Sequence, residues 1–167
     1  MNDPIQEMCA LGRRAYERNL VDGTGGNFSC RLDERRILCT PTLCCKGTMV
    51  PDDLCVVDLE GRPLSGARRA SSEIQMHLEL YAANPGIGAI IHTHPPYATT
   101  FAVLGETIST GILPEGDVFL GPVPLIPYQT PGTRDMGRAL RRNRLPECGI
   151  FDNRRRGCSG NNFRRWS

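Results

Sequence analysis

Apolar residues near the start of the chain recur at the spacing of one helix face. The apolar and small positions of this stretch are Ile5, Met8, Cys9, Leu11, Gly12, Ala15 and Leu20. Their period predicts an amphipathic helix over residues 4–20, which the turn Val21-Asp22-Gly23 ends.

Short apolar stretches between turn residues predict the strands. They fall at residues 27–32, 36–40, 55–59, 88–94 and 147–152, with further extended structure between 118 and 126. The run at 88–94 is apolar until two closing histidines, and Pro95-Pro96 follows it, which favours a buried strand over a helix.

Three more helices are predicted between the strands. Ser72 and Gln75 have the spacing of a capping box, so a helix is expected from Ser72 to about Ala83. Pro96 suits the first turn of a helix that reaches about Leu104, and a short helix is predicted over 133–142. Alternating strands and helices indicate an α/β layer protein, and 167 residues suffice for one domain with a core.

Net charge excludes a strongly basic binding surface over most of the chain. The formal charge is +2, and much of the positive charge lies in arginine clusters of the last third. No stretch reaches the roughly 20 apolar residues that span a bilayer, and the first residues lack an apolar signal core. We therefore expect a cytoplasmic protein with neither a nucleic acid nor a membrane as partner.

The eight cysteines show no paired C-x-x-C spacing. In a reducing compartment such cysteines are most simply small buried thiols. A structural zinc site on Cys39, Cys44 and Cys45 is the less favoured alternative, because this cluster lacks a spaced second pair.

The motif His92-Thr93-His94 is the strongest chemical signal. On a strand, side chains two positions apart point to the same face, so both imidazoles can reach one metal ion. They also lie at a strand end, where α/β sheets usually place their sites. The alternative is a pair of polar residues that merely close a strand.

Glu73 is a candidate ligand or general base at the start of the second predicted helix. A carboxylate beside a divalent cation can bind it, or can move a proton while the metal holds negative charge on the substrate. The alternative is a glutamate favoured by the helix dipole. His77, one turn later, is interpreted as a helix residue that pairs with Glu73 or packs in the core.

A glycine-rich segment, Gly23-Thr24-Gly25-Gly26-Asn27-Phe28-Ser29, is a candidate anion site. Its glycines leave backbone N–H groups free to converge on an anion, and Thr24 and Asn27 add polar side chains. Ser71 and Ser72 supply further hydroxyls at a helix start. The segment has neither the lysine of a P-loop nor the spacing of a dinucleotide fingerprint.

The order of these motifs resembles the class II aldolase/adducin family. The motifs are G-T-G-G-N-F-S, then T-P-T at 40–42, S-S-E at 71–73 and H-T-H-P at 92–95. The resemblance covers roughly residues 5–153. It implies a three-layer α/β/α fold with a central mixed, mostly antiparallel sheet, incomplete at the C-terminus, and a homotetramer.

The resemblance also implies a set of site residues. His92 and His94 correspond to two of three histidine ligands of a catalytic zinc or other divalent metal, and Glu73 to an acid/base carboxylate that occupies the metal site at rest. The positions corresponding to phosphate contacts are Thr24, Gly26, Asn27, Thr42, Ser71 and Ser72.

The implied reaction is that of an aldehyde-lyase in carbohydrate metabolism. A ketose phosphate resembling L-fuculose 1-phosphate would be cleaved to dihydroxyacetone phosphate and an aldehyde. The alternatives within this fold are a sugar-phosphate epimerase, a decarboxylase, or a non-catalytic domain like that of adducin.

Two positions depart from the family pattern. Leu43 follows Thr42 where the aldolases commonly have glycine. The family's third histidine follows an asparagine after a late strand, but Asn153 is followed here by Arg154. We therefore expect an incomplete domain over 1–153, with poorer zinc binding and impaired activity.

The arginine-rich tail over 154–167 is interpreted as aberrant and outside the fold. Losing two bases of a histidine codon in a frame that begins Asn-His-Gly-Ala-Val-Val can produce Asn153 to Trp166 as they stand. We hypothesise such a frameshift, which sequencing the codons across Asn153 tests.

Overall fold

The central element is an antiparallel sheet of five strands. In this computed structural model, which describes residues 3–112, 114–119, 123–142 and 150–151, the strand order is β4-β3-β2-β1-β5. The strands are β1 (Asn27–Arg31), β2 (Arg36–Cys39), β3 (Cys55–Asp58), β4 (Pro63–Ser65) and β5 (Ala89–His92). A second, parallel pair joins β6 (Leu125–Ile126) to β7 (Ile150–Phe151).

Five helices accompany the strands in the described residues. They are α1 (Pro4–Glu17), α2 (Ile74–Ala83), α3 (Pro96–Leu104), α4 (Pro114–Phe119) and α5 (Arg134–Arg142), with one 3₁₀ turn at Pro51–Asp53. The side chain of Asp3 caps α1 by accepting a 3.0 Å hydrogen bond from the backbone N–H of Ile5.

The sheet has a separate apolar core on each face, because successive strand residues point to opposite sides. Ile37, Val57 and Ile90 pack with α2 and α5. Leu38, Phe28 and Ile91 pack on the other side with α1. The neighbours Ile37 and Leu38 thus lie on opposite faces, as do Ile90 and Ile91. The predicted three-layer α/β/α fold with a mostly antiparallel sheet is confirmed.

The register of β1 with β5 sets up the site. Asn27 lies opposite His92, and Ser29 lies opposite Ile90. The last residue of β5 is therefore next to the first residue of β1. This pairing places the glycine-rich segment, which comes directly before β1, beside the two histidines.

Several predicted boundaries need correction. Helix α1 ends at Glu17, and Arg18 caps it through backbone hydrogen bonds. The capping box at Ser72 is wrong: α2 begins at Ile74 after Glu73, with no side-chain cap. The side chain of Gln75 instead accepts a hydrogen bond from Arg134.

The sequence predicts extended structure between 118 and 126, and this prediction is wrong for the beginning of that stretch. Val118 and Phe119 end helix α4, and only Leu125–Ile126 form a strand. Pro114 starts that helix, and acidic residues in its first turn favour it through the helix dipole. The tail over 154–167 lies outside the described residues.

Within the described part of the chain, every helix is too short or too polar to cross a bilayer.

Candidate metal centre

The two histidines meet at the end of β5. Nε2 of His92 lies 3.1 Å from Nε2 of His94. His92 is fully buried and His94 is half-buried. Two ring nitrogens on a tetrahedral zinc ion, each 2.0–2.1 Å from the metal, are about 3.3 Å apart. The described geometry therefore suits one divalent cation held by both Nε2 atoms.

The protonation of His94 also suits a ligand. Burial, with a smaller contribution from neighbouring His92, lowers the pKa of His94 to about 4. Metal ligation needs the neutral imidazole, because the proton and the metal compete for the same nitrogen. His94 therefore requires no deprotonation at neutral pH before it binds a metal.

Glu73 lies on the other nitrogen of His92. One carboxylate oxygen, Oε2, is 3.1 Å from Nδ1 of His92 and 2.6 Å from Nδ2 of Asn27. A hydrogen bond from Nδ1–H to a carboxylate leaves the Nε2 lone pair free, which is the usual arrangement of a ligand histidine and its supporting acid. In this structure Glu73 orients His92.

The hydrogen bonds to Glu73 determine its charge. Burial alone would raise the pKa of Glu73, but the hydrogen bonds from His92 and Asn27 outweigh it and lower the pKa to about 2. The carboxylate is therefore ionised at neutral pH. To accept a proton from a substrate, it must first give up part of this hydrogen bonding.

A divalent metal fits the described residues as far as two ligands. In the described part of the chain, no group of three histidine, cysteine, aspartate or glutamate side chains is arranged around one metal position. In the sequence, Arg154 follows Asn153 where the family pattern has its third histidine, and this residue lies outside the described residues.

The glycine-rich segment packs directly against the histidines. Gly26 has a φ of +68°, and a Cβ there would lie 2.6 Å from the carbonyl oxygen of His92. A Cβ on Gly25 would come within 3.2 Å of Nδ1 of His94. Gly26 therefore requires glycine both for its backbone conformation and for space, whereas a side chain at Gly25 would have to displace the carboxylate of Asp22.

The candidate phosphate residues lie on connected segments, although their side chains differ in exposure. Ser71 donates its backbone N–H to the carbonyl of Thr40, and Thr42 donates to Arg69, so residues 40–42 run beside 69–71. Thr24 and Ser72 are exposed, Thr42 is half-buried, and Ser71 is buried. The hydroxyl of Ser71 accepts a hydrogen bond from the backbone N–H of Glu73.

Asn27 has a different environment from the other candidate phosphate residues. It is buried, with its amide nitrogen on Glu73 and its amide oxygen 2.6 Å from Nε2 of His77. Its side chain is thus committed to Glu73 and His77 in this structure. Sequence reasoning missed this role, because no local pattern in the glycine-rich segment indicates which helix residue its asparagine will face.

Lys46 connects the glycine-rich segment to the loop after Thr42. Its ammonium group donates to the carbonyls of Thr24 at 3.0 Å and Cys44 at 2.9 Å, and the residue is only 1% exposed. Burial lowers the pKa of Lys46. This contact holds two of the candidate phosphate segments together.

Comparison with known proteins identifies the family. The family model described as "Class II Aldolase and Adducin N-terminal domain" matches residues 6–150. The chain belongs to this family. The expected family resemblance is thus confirmed over nearly the whole chain.

Relatives within the family differ in activity. The chain is 33% identical over 136 residues to "L-fuculose phosphate aldolase" of Methanococcus vannielii, covering 81% of this chain and 73% of that protein. It is 36% identical over 146 residues to "3-oxo-tetronate 4-phosphate decarboxylase" of Haemophilus influenzae, covering 84% and 69%. A solved structure of "L-fuculose 1-phosphate aldolase" superposes with a TM-score of 0.83 at 28% identity, and the match covers 98% of this chain and 77% of that one.

Leu43 has a strained backbone at the position where the aldolases commonly have glycine. Its φ is +50° while its side chain is 76% exposed. The left-handed conformation costs a leucine roughly 1–2 kcal/mol, and an exposed side chain offsets little of that cost. We therefore expect Leu43→Gly to raise the free energy of unfolding by about 0.5–1 kcal/mol, once the greater unfolded-state entropy of glycine is subtracted.

Urea unfolding measures this effect, with Leu43→Ala as the matched control. Alanine removes the same side chain but keeps a Cβ, so it should not stabilise the chain. Equal stabilities of the glycine and alanine variants would show that backbone strain at Leu43 is absent.

Proposed function

We propose that this chain carries the metal-binding part of a lyase that acts on a sugar phosphate, with aldol cleavage of a ketose phosphate as its reaction. The observation that carries the proposal is the pair of Nε2 atoms of His92 and His94, 3.1 Å apart, with Glu73 on the far nitrogen of His92. The family and the aldolases among its relatives support this choice of reaction.

In the proposed site, His92 and His94 hold the metal and the ionised Glu73 handles the proton. A bound zinc ion would polarise the hydroxyketone oxygens and stabilise negative charge that develops on them during C–C cleavage. In the cleavage direction Glu73 removes a proton from the substrate hydroxyl and then returns one to the carbon that the broken bond leaves negative; in the synthetic direction both transfers run in reverse. Asn27 and His92 hold the carboxylate between these steps.

The substrate phosphate is proposed to bind beside the glycine-rich segment. Thr24, Thr42, Ser71 and Ser72 offer hydroxyls, and Gly26 allows the backbone to approach closely. The ammonium of Lys46 donates to the backbone carbonyl of Thr24 in this segment and adds positive charge. Asn27 supports Glu73 in this structure, so we assign its main role to the carboxylate rather than to phosphate.

Decarboxylation of an oxo-acid phosphate is the second candidate, favoured by the relative from Haemophilus influenzae at 36% identity. Loss of carbon dioxide leaves the same kind of carbanion beside a carbonyl as aldol cleavage does, so the same metal and carboxylate could serve both. Retention of Glu73, His92 and His94 argues against a non-catalytic adducin-like role. The homotetramer and the cytoplasmic location stay predictions.

Product analysis tests the proposal with two zinc-loaded proteins. One is this chain, and the other is a restored chain in which Arg154→His is followed by the residues that the hypothesised original reading frame encodes. Each is incubated with L-fuculose 1-phosphate and with 3-oxo-tetronate 4-phosphate. We expect dihydroxyacetone phosphate and an aldehyde from L-fuculose 1-phosphate with the restored chain. We expect little product from the chain as it stands, because it lacks a third histidine at that position.

Two controls sharpen this assay. Glu73→Gln in the restored chain should abolish cleavage, since the amide cannot accept the substrate proton. Carbon dioxide release from 3-oxo-tetronate 4-phosphate, without an aldehyde from L-fuculose 1-phosphate, would favour the second candidate, because dihydroxyacetone phosphate is a product of both reactions. Absence of both products, or cleavage that is indifferent to Glu73→Gln, would contradict the proposed function.

A further inference from the structure

A row of polar side chains joins helix α2 to strand β1 behind the histidine pair. On the helix side, Glu73, His77 and Tyr81 recur every four residues; on the strand side, Asn27 and Ser29 recur every two. Four helical residues rise about 6 Å and two strand residues about 6.8 Å, so the two spacings stay in step. The row lies on the face of the sheet that is otherwise filled by apolar side chains.

Hydrogen bonds connect every neighbour in this row. The hydroxyl of Tyr81 is 2.9 Å from Oγ of Ser29, which is 2.6 Å from Nδ1 of His77. Nε2 of His77 is 2.6 Å from Oδ1 of Asn27, and Nδ2 of Asn27 is 2.6 Å from Glu73. Asn27, Ser29, His77 and Tyr81 are each at most 4% exposed.

The chemistry of the groups fixes the direction of the hydrogen bonds. Because the amide oxygen of Asn27 can only accept, Nε2 of His77 must carry a proton. Burial keeps His77 neutral by lowering its pKa to about 3, so Nδ1 accepts from the hydroxyl of Ser29. Ser29 can then accept from Tyr81, whose hydroxyl proton has that oxygen as its partner.

The far end of the row is also anchored. Nη2 of Arg31 donates to the backbone carbonyl of Tyr81 at 2.9 Å, and its guanidinium carbon lies 4.8 Å from the centre of the Tyr81 ring. Arg31 continues the two-residue spacing of Asn27 and Ser29 along β1. The phenol is therefore held in place at the end opposite to the metal centre.

We propose that His77, Ser29 and Tyr81 are positioning residues, which lock the Asn27 amide with its nitrogen toward Glu73 and so orient Glu73 against His92. Reversing the amide would place its oxygen against a carboxylate oxygen, which is repulsive, and the proton on His77 prevents that reversal. The inference rests on the proposed role of Glu73 at the metal centre.

Nitrogen–proton NMR of the histidine rings tests the first step on the metal-free full chain. We expect the neutral tautomer with the proton on Nε2 for His77. Ser29→Ala should leave Nδ1 without its donor and let the other tautomer appear. A proton on Nδ1 of His77 in the unsubstituted chain would overturn the proposal, whether or not the protein binds metal.

Cobalt(II) titration, followed by visible absorption, tests the link to the metal centre. His77→Phe leaves the Asn27 oxygen without a donor, and we expect about 10-fold weaker cobalt binding, in the range of outer-shell substitutions. His77→Gln keeps a donor near the position of Nε2 and should bind within about 2-fold of the original chain. Met76→Leu, a buried change on the same helix, is the matched control.

The outcomes separate this inference from the proposed function. Equal cobalt affinities for the phenylalanine and glutamine variants would overturn the positioning role. If no variant and not even the original chain binds cobalt, the proposed function fails, while the tautomer of His77 still decides the hydrogen-bond direction. Urea unfolding of each variant identifies a loss of fold, in which case Ser29→Ala carries the test.

Discussion

Replacing His92 by alanine is expected to weaken cobalt or zinc binding by at least about 100-fold, because one of two imidazole ligands is lost together with the partner of Glu73. Glu73 and Asn27 would then face a cavity in place of the ring. Cobalt(II) titration of the purified chain, monitored by its absorption spectrum, measures the change.

Thr93→Ser is the matched control for this variant. Thr93 stands between the two histidines in the sequence and is buried, but its side chain points to the opposite side of the backbone from theirs. Its substitution should therefore leave cobalt affinity unchanged. A His92→Ala variant that binds cobalt as tightly as the original chain would show that His92 is not a ligand.

Acidification is expected to destabilise the metal-free chain before most of its carboxylates titrate. Burial lowers the pKa of His77 to about 3, with a further contribution from His92, and burial lowers that of His94 to about 4. In the unfolded chain both histidines bind protons near pH 6.5, whereas the folded chain excludes them. Stability is therefore complete above about pH 6.5 and falls as the pH decreases toward 4.

The expected loss between pH 7 and pH 4 is on the order of 3 kcal/mol for the fully buried His77 alone. Glu73, whose pKa is lowered to about 2, adds a separate loss that begins only near its unfolded value of 4.5 and continues below it. Urea unfolding at a series of pH values, in the presence of a chelator, measures both stages.

His77→Gln provides the control for the acid stage. The glutamine cannot titrate, so the stability of this variant should fall less steeply between pH 6.5 and 4. An unsubstituted chain whose stability is flat over that range would contradict the burial of neutral histidines.

Local patterns in the sequence predicted most of the secondary structure. Helix α3 runs from Pro96 to Leu104 as its flanking residues indicated. Predicted strands over 27–32 and 36–40 differ from the observed ones by one residue at their ends. The short strand β4 was not predicted, since Pro63–Ser65 is exposed and lacks an apolar pattern.

The histidine pair was predictable because a strand places alternate residues on one face. The position of Glu73 was not, since its hydrogen bond to Nδ1 of His92 depends on how α2 packs against β1. The same packing buries His77, as one of its two interpretations predicted, and brings its ring to Asn27 rather than to Glu73. Contacts between distant elements are set by the tertiary fold and leave little local trace.

Leu43 departs from the family pattern, and its backbone conformation gives this departure a physical consequence. The sequence shows only a leucine where the aldolases commonly have glycine. The structure adds a φ of +50° at this residue, which explains why glycine suits the position.

Anomalous diffraction at the zinc absorption edge, from crystals of this chain grown with zinc, tests the metal centre most directly. We predict a peak about 2.0–2.1 Å from Nε2 of both His92 and His94, with Glu73 still beside Nδ1 of His92. Absence of a peak between these two nitrogens, or zinc bound only at the thiols of Cys39, Cys44 and Cys45, would contradict this account.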